Sequence, residues 1–264
     1  MLRLRAVGFC GADDSVDPSK LKAISEKFPW VEWGVLFRAE LQGTPRYASM
    51  DWVQRFGDVV KTTGNEDGTR YMRTAAHLCG DHVEDLLKGD ADFASMLHNE
   101  YGFNRIQINP TAANGVDSSN LSAGLPGLRA CLEAVPGVEF IIQVNEETSD
   151  LWKPLGNDPP ANMAMLFDES KGLGKLPETW PEPYAHIPCG FAGGLAPSNI
   201  ERQLRSIADS SAGIPIWCDM ESSLRTEVGG QDVFDLEKCN LVIEAAEKLH
   251  DAYEVEVISG NFTA

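Results

Sequence analysis

The sequence predicts an α/β fold, a single (β/α)8 barrel, and three observations carry that prediction. Eight short apolar runs recur along the chain, and the segments between them are long enough for the crossovers that parallel strands require. The length of 264 residues suits a barrel of this kind, which typically takes about 250. Runs such as VEFIIQV are apolar on both faces, as strands held between a barrel interior and an outer ring of helices should be. An open doubly wound sheet of eight strands is the structural rival, because repeat count and length fit both.

The first run is Leu4 to Cys10, and the amphipathic stretch Pro18 to Phe28 leads to the second, Val31 to Phe37. A helical segment, Met50 to Val60, and a polar loop, Thr62 to Thr69, precede the third, Thr74 to Cys79. One helical pattern, His82 to Glu100, leads to Arg105 to Asn109, and another, Leu121 to Ala134, leads to Glu139 to Val144. The stretch Glu146 to Ala161 contains prolines and reads as helix-poor; Ala164 to Asp168 follows it. Lys175 to Pro183 comes before Ala185 to Phe191, and a helix from Pro197 to Asp209 comes before Pro215 to Met220. A last helix, Asp235 to His250, closes the count and leaves a tail after about residue 250. No linker, low-complexity segment or internal repeat interrupts the series, so residues 1–264 read as one domain.

A hydrophobic fraction of 43% with 23% charged residues supports a core of real size. The net charge of −18, from 40 acidic and 22 basic side chains, argues against a nucleic-acid backbone or an anionic membrane surface as partner. It leaves room for a small anionic ligand, because a few local donors outweigh the global field at short range. No stretch approaches the roughly 20 apolar residues of a membrane-spanning helix, and MLRLRAVGFC is too short an apolar run for a signal peptide. The scattered cysteines lack the density of a disulfide scaffold and predict a reducing cytoplasm. The glycosylation-type triplets at Asn120 and Asn261 are then without consequence. A monomer or homodimer is expected.

In a parallel β/α fold the ligand sits where strands hand over to helices, which directs attention to the strand ends. Ala-Gly-Gly-Leu-Ala-Pro-Ser-Asn, residues 192–199, carries the clearest signal. Gly193 and Gly194 let the backbone approach an anion, and Pro197 suits the first position of the following helix. Free N–H groups and the helix dipole would favour a phosphate there; Ser222 and Ser223 add hydroxyls from the eighth loop. A plain tight turn with a cap would use the same residues. Taken alone, Cys10 reads as core, Asp168 equally as helix cap or catalyst, and Arg46 as a solvated loop charge.

These residues, taken together, resemble the phosphoribosylanthranilate isomerase family, a ribulose-phosphate-binding barrel of tryptophan biosynthesis. Gly8-Phe9-Cys10-Gly11 echoes its Lys-Ile-Cys-Gly motif. Gly34-Val35-Leu36-Phe37 followed by Thr44-Pro45-Arg46-Tyr47 is similar to its Gly-Phe-Val-Phe and Ser-Pro-Arg-Tyr. Ile106-Gln107-Ile108-Asn109 resembles Val-Gln-Leu-His, and Asp168 with Gly172-Leu173-Gly174-Lys175 and Trp180 resembles the family's Asp, Gly-Gly-Thr-Gly-Lys and Trp. The Ala-Gly-Gly-Leu-x-Pro-x-Asn motif matches position for position, and the likeness runs in order from residue 8 to about residue 246. It implies an Amadori rearrangement of a phosphorylated ribosylamine without metal or cofactor. Asp168 would be the acid, Cys10 the base, and Arg46 the holder of the anthranilate carboxylate. Gln107, Gly193, Gly194, Ser222 and Ser223 would bind substrate.

The departures mark a divergent member. Glu221 stands where the family has a hydroxyl beside the phosphate, so it turns away, towards Arg225, or the ligand is not a phosphate. Asn109 replaces a histidine and Gly8 a lysine; the residues after Thr226 have no counterpart. Asp168, Asp219 and Glu221 could instead hold a hard cation in an aldolase or epimerase, and a non-catalytic metabolite-binding barrel is a third reading. Cys79-x-x-His82 is half of a zinc spacing and reads as structural; Lys171 to Lys175 lacks the spacing of a phosphate-binding P-loop.

Overall fold

The computed structural model describes residues 1–63, 72–252 and 255–257; residues 64–69 of the polar loop and Asn261 lie outside them. The strands are β1 (Leu2–Cys10), β2 (Val31–Phe37), β3 (Arg73–Leu78), β4 (Arg105–Ile108), β5 (Glu139–Val144), β6 (Met163–Phe167), β7 (Cys189–Phe191) and β8 (Pro215–Met220). Each runs parallel to the next, and β8 returns to β1, with Arg3 opposite Pro215 and Phe9 opposite Met220. That last pairing makes a closed barrel and excludes the open sheet.

The helices around it are α1 (Pro18–Lys27), α2 (Met50–Lys61), α3 (Asp81–Lys88), α4 (Asp92–Tyr101), α5 (Leu121–Ala134), α6 (Ser149–Asn157), α7 (Ile200–Ser211) and α8 (Leu236–Asp251). Side-chain caps start several of them: Asp17 accepts from the Ser19 N–H, Ser49 from Trp52, and Asp235 from Glu237. Four sequence expectations need correction. The pattern His82 to Glu100 is two helices, because Gly89 takes a left-handed conformation (φ 91°) that ends α3. The stretch Glu146 to Ala161 holds α6 despite Pro154, since Leu151 and Leu155, one turn apart, bury on the core. Strand seven is only Cys189–Phe191, and the β6–β7 crossover holds no helix. Pro177, Pro181, Pro183 and Pro188 interrupt that crossover, and Trp180 pins it to α7 through Gln203 at 3.0 Å.

The fourth correction concerns the chain after β8. Residues 225–234 form an antiparallel hairpin, β9 (Arg225–Val228) and β10 (Gln231–Phe234), turning at Gly229-Gly230. Beyond α8, β11 (Val255–Val257) pairs with Leu2–Leu4 of β1, so the described part of the tail extends the sheet.

Inside the barrel, Ala6, Ile141, Ala164, Leu166, Ala192 and Trp217 pack as one cluster. Trp217 fits there because β7 presents Gly190 to it; a Cβ at that position would lie 2.1 Å from the indole. Towards the amino ends of the strands, Arg105 stacks on Trp217 at 4.2 Å and pairs with Glu32 at 2.7 Å and Glu139 at 2.8 Å. Charge fills one end of the interior and apolar side chains its middle. The opposite end is open. Among the described residues, no helix is long and apolar enough to cross a membrane.

Candidate active site

At the carboxyl ends of the strands lies a cavity of about 390 Å³, lined from nearly every strand. β1 contributes Cys10, β2 Leu36, β3 His77, and β4 Gln107 with Asn109 just beyond it; β5 contributes Gln143. Asp168 follows β6, Gly193 to Ala196 follow β7, and Asp219 to Ser223 close the ring. The alternation of strands explains the set: residues two apart point into the same interior. Cys10, Gln107, Asp168, Gly193, Gly194, Ser222 and Ser223 all meet here. Arg46 does not line the cavity.

Asp168 is buried and held by three donors. Gln143 Nε2 donates at 2.8 Å, Ser170 Oγ at 2.6 Å and the Gly172 N–H at 2.9 Å. The last two come from the loop that begins at Asp168 itself, so the carboxylate organises its own surroundings and is fixed as an acceptor. Cys10 is in the opposite situation. Burial pushes its thiol well above the ordinary range, and the carboxylates of Asp219 and Glu221 push it further. The base role expected of Cys10 needs a neighbouring positive charge, and the groups that act on it are carboxyls. At neutral pH it is a thiol. Iodoacetamide at pH 8 is therefore expected to leave Cys10 unmodified in the native protein and to alkylate it after unfolding in urea. Mass spectrometry of the peptide containing Cys10 reads the difference, and rapid native alkylation would contradict the environment described here.

Asp219 is offered by the sequence as a ligand for a hard cation and given no other role. It is 7% exposed, faces the cavity, and has no hydrogen-bond partner among the described residues. Burial pushes its carboxyl well above the usual range, with Glu32 and Glu221 adding to the shift. His77 is pushed down to about 3 by burial and by Arg105, so its imidazole is neutral. Neither shift is visible in the sequence, because both arise from side chains brought together by barrel closure.

The β7 and β8 loops form the remaining wall. Gly193 (φ 101°) and Gly194 (φ 66°) take conformations that favour glycine, and a Cβ on Gly194 would meet the Leu176 N at 2.4 Å. Ser223 donates to the Leu195 carbonyl at 2.7 Å, joining the two loops. The N–H groups of Gly193, Gly194, Leu195, Ser222 and Ser223 have no partner among the described residues. Pro197 is not the first helical residue; α7 begins at Ile200, and Asn199 ties the turn by donating to Gly194 O and accepting from Ala196 N, both at 2.9 Å. An anion here would meet loop amides rather than the start of α7.

The hairpin settles the position of Glu221 and Arg46. Arg225, expected to attract Glu221, instead binds Asp13 at 2.7 Å, Gly11 O at 2.7 Å and Asp232 at 2.9 Å. Arg46 takes the other side of Asp232 at 3.1 Å and reaches Glu221 at 3.2 Å. Its backbone, at φ 77°, is held by the Asp13 carboxylate at 2.7 Å. Glu221 is drawn to Arg46, although burial still pushes its carboxyl upward. The sequence contained a signal for the hairpin, RTEV-GG-QDVF, an alternating pair of runs about two glycines. Cys79 and His82 do not converge as zinc ligands: Cys79 contacts Asn109 and Asn114, and His82 stacks on Phe93 at 3.8 Å. Among the described residues, no three His, Cys, Asp or Glu side chains are arranged to hold a metal ion.

No family model matches the sequence, and no curated protein matches it. Solved structures do. A monomeric form of the dimeric phosphoribosylanthranilate isomerase from Thermotoga maritima is 15% identical, with a TM-score of 0.50 over 94% of this chain and 99% of that one. A family 2 AP endonuclease from Brucella melitensis is 12% identical, with a TM-score of 0.47 over 83% and 92% of the two chains. The catalytic domain of a GH18 chitinase from a fern is 12% identical, with a TM-score of 0.46 over 91% and 99%. The first of these likenesses shows a shared barrel fold.

Proposed function

We propose that the chain is an isomerase whose cavity performs an Amadori rearrangement, converting a phosphorylated N-aryl ribosylamine into its keto form. The observation that carries this reading is the meeting of Asp168 and Cys10, from strands across the barrel, on one cavity whose β7–β8 wall offers five unpartnered N–H groups. Those amides suit a phosphate, and the pairing of Glu221 with Arg46 reduces the repulsion that a carboxylate there would exert.

Two proton transfers, one to the ring oxygen and one from the neighbouring carbon, start the reaction. A proton delivered to the ring oxygen breaks its bond to the anomeric carbon, and the nitrogen lone pair forms an iminium. An acceptor then removes the proton from the neighbouring carbon, and the resulting neutral enaminol becomes the ketone as a proton is added at the former anomeric carbon and the enol hydroxyl gives up its own. No electrons are gained or lost overall. The family resemblance gives the first transfer to Asp168 and the second to Cys10. The surroundings favour the reverse traffic: Asp168, fixed by three donors, receives the carbon-bound proton, and the Cys10–Asp219 side, where burial favours the protonated forms, supplies one to the ring oxygen. The test is conversion of freshly prepared phosphoribosylanthranilate, followed by loss of its fluorescence. Turnover without added metal supports the assignment; a folded protein that leaves the substrate unchanged overturns it.

A further inference from the structure

Two acceptors at the cavity have no donor among the described residues, one opening on the cavity space and one buried beside it. Asp219 is 93% buried, since its exposure is 7%, and neither carboxylate oxygen is hydrogen-bonded among the described residues. Gln143 gives its Nε2 to Asp168, and its buried Oε1 has no partner. Leaving a buried acceptor unsatisfied costs about 1–3 kcal/mol, more for a charged one. Two at one cavity therefore call for a ligand that brings donors. Three carboxylates, Asp168, Asp219 and Glu221, line the space, and among the described residues no lysine or arginine does.

Position 8 shows why this chain cannot supply the charge itself. Gly8 lies opposite Asp219 in the β1–β8 ladder, and a Cβ on it would fall 2.4 Å from Asp219 Oδ1. The carboxylate occupies the space a side chain at position 8 would need. The cation whose charge acts on Asp219 is Arg105, and it is committed to Glu32 and Glu139.

We propose that the cavity recognises a ligand carrying a positively charged nitrogen beside hydroxyl groups, an ammonium or iminium that pairs with Asp219 while a neighbouring N–H or O–H reaches Gln143. The inference rests on the cavity being the substrate site of the isomerase reading. There it names what the site holds best: the iminium formed when the ribosylamine ring opens, generated beside the carboxylate that has just lost its proton. A preference for the charged intermediate over the neutral ring is a preference for the path to product.

The test uses two probes that differ in one atom: iminoribitol, whose ring nitrogen is protonated at neutral pH, and anhydroribitol, the same ring with oxygen. Titration calorimetry of the whole chain at pH 7 is expected to give a dissociation constant for iminoribitol lower by on the order of tenfold or more, as a charge-assisted hydrogen bond allows. Asp219→Asn should remove most of that ratio. The variant keeps shape and removes a buried carboxyl, so it should fold; the wild-type ratio alone also decides the matter if it does not. Equal affinities for the two probes, binding of neither, or an unchanged ratio in a folded Asp219→Asn protein overturns the proposal. A clear preference without turnover of phosphoribosylanthranilate leaves the cationic site standing and removes only the isomerase reading.

Discussion

Asp168→Asn is expected to lower kcat/KM for phosphoribosylanthranilate by about 10²–10⁴, the range over which a positioned acid or base contributes. The substitution keeps the size and planarity of the side chain and removes its capacity to take a proton. Its effect on folding should be small for a specific reason. The variant's amide oxygen can take the place of Oδ2, which accepts from both Gln143 Nε2 and the Gly172 N–H. Its N–H₂ then faces Ser170 Oγ, which donates to Oδ1 of the present carboxylate and, as a hydroxyl, can accept instead. The expected result is a protein with a thermal midpoint close to that of the parent and nearly all of its turnover lost. Steady-state kinetics beside a thermal melt separate the two effects. A folded variant that keeps more than about a tenth of the parental kcat/KM would remove Asp168 from the reaction.

The barrel was legible in the sequence because its strands are short apolar runs whose existence depends on local pattern alone. The ends of elements were less so. Leu151 and Leu155 hold a helical turn against the disfavour of Pro154 through burial, which no local propensity contains. The helix-free crossover before β7 is stabilised by one indole reaching α7. The site divides in the same way. Its positions were legible, since the fold dictates that strand ends converge. Its charge states were not, because burial and the carboxyls of Asp219 and Glu221, far along the chain from Cys10, together raise its thiol. Arg46 shows the distance between motif and role: the motif placed an arginine on the second loop, and Asp13, Asp232 and Glu221 decided where it points.

Arg105→Ala should be the most damaging substitution for stability, costing about 3–5 kcal/mol, as removal of one member of a buried ion pair does. Arg105 is fully buried in the barrel, so no solvent replaces it. Its loss leaves Glu32, at 2% exposure, without the guanidinium now 2.7 Å away. Glu139 fares better, because Arg5 stands 3.7 Å from its other oxygen. Arg73 is already engaged, its Nε donating to Pro29 O at 2.9 Å. The indole of Trp217 also loses the cation stacked on it. Urea unfolding of four proteins apportions these losses: parent, Arg105→Ala, Glu32→Gln, and Arg105→Met with Glu32→Gln. The double variant fills the space with uncharged atoms and is expected to recover most of the deficit, since the cost lies in stranding a charge rather than in losing a bond. If Arg105→Ala alone costs less than about 1 kcal/mol, water reaches this end of the barrel and the buried-charge account of the interior is wrong.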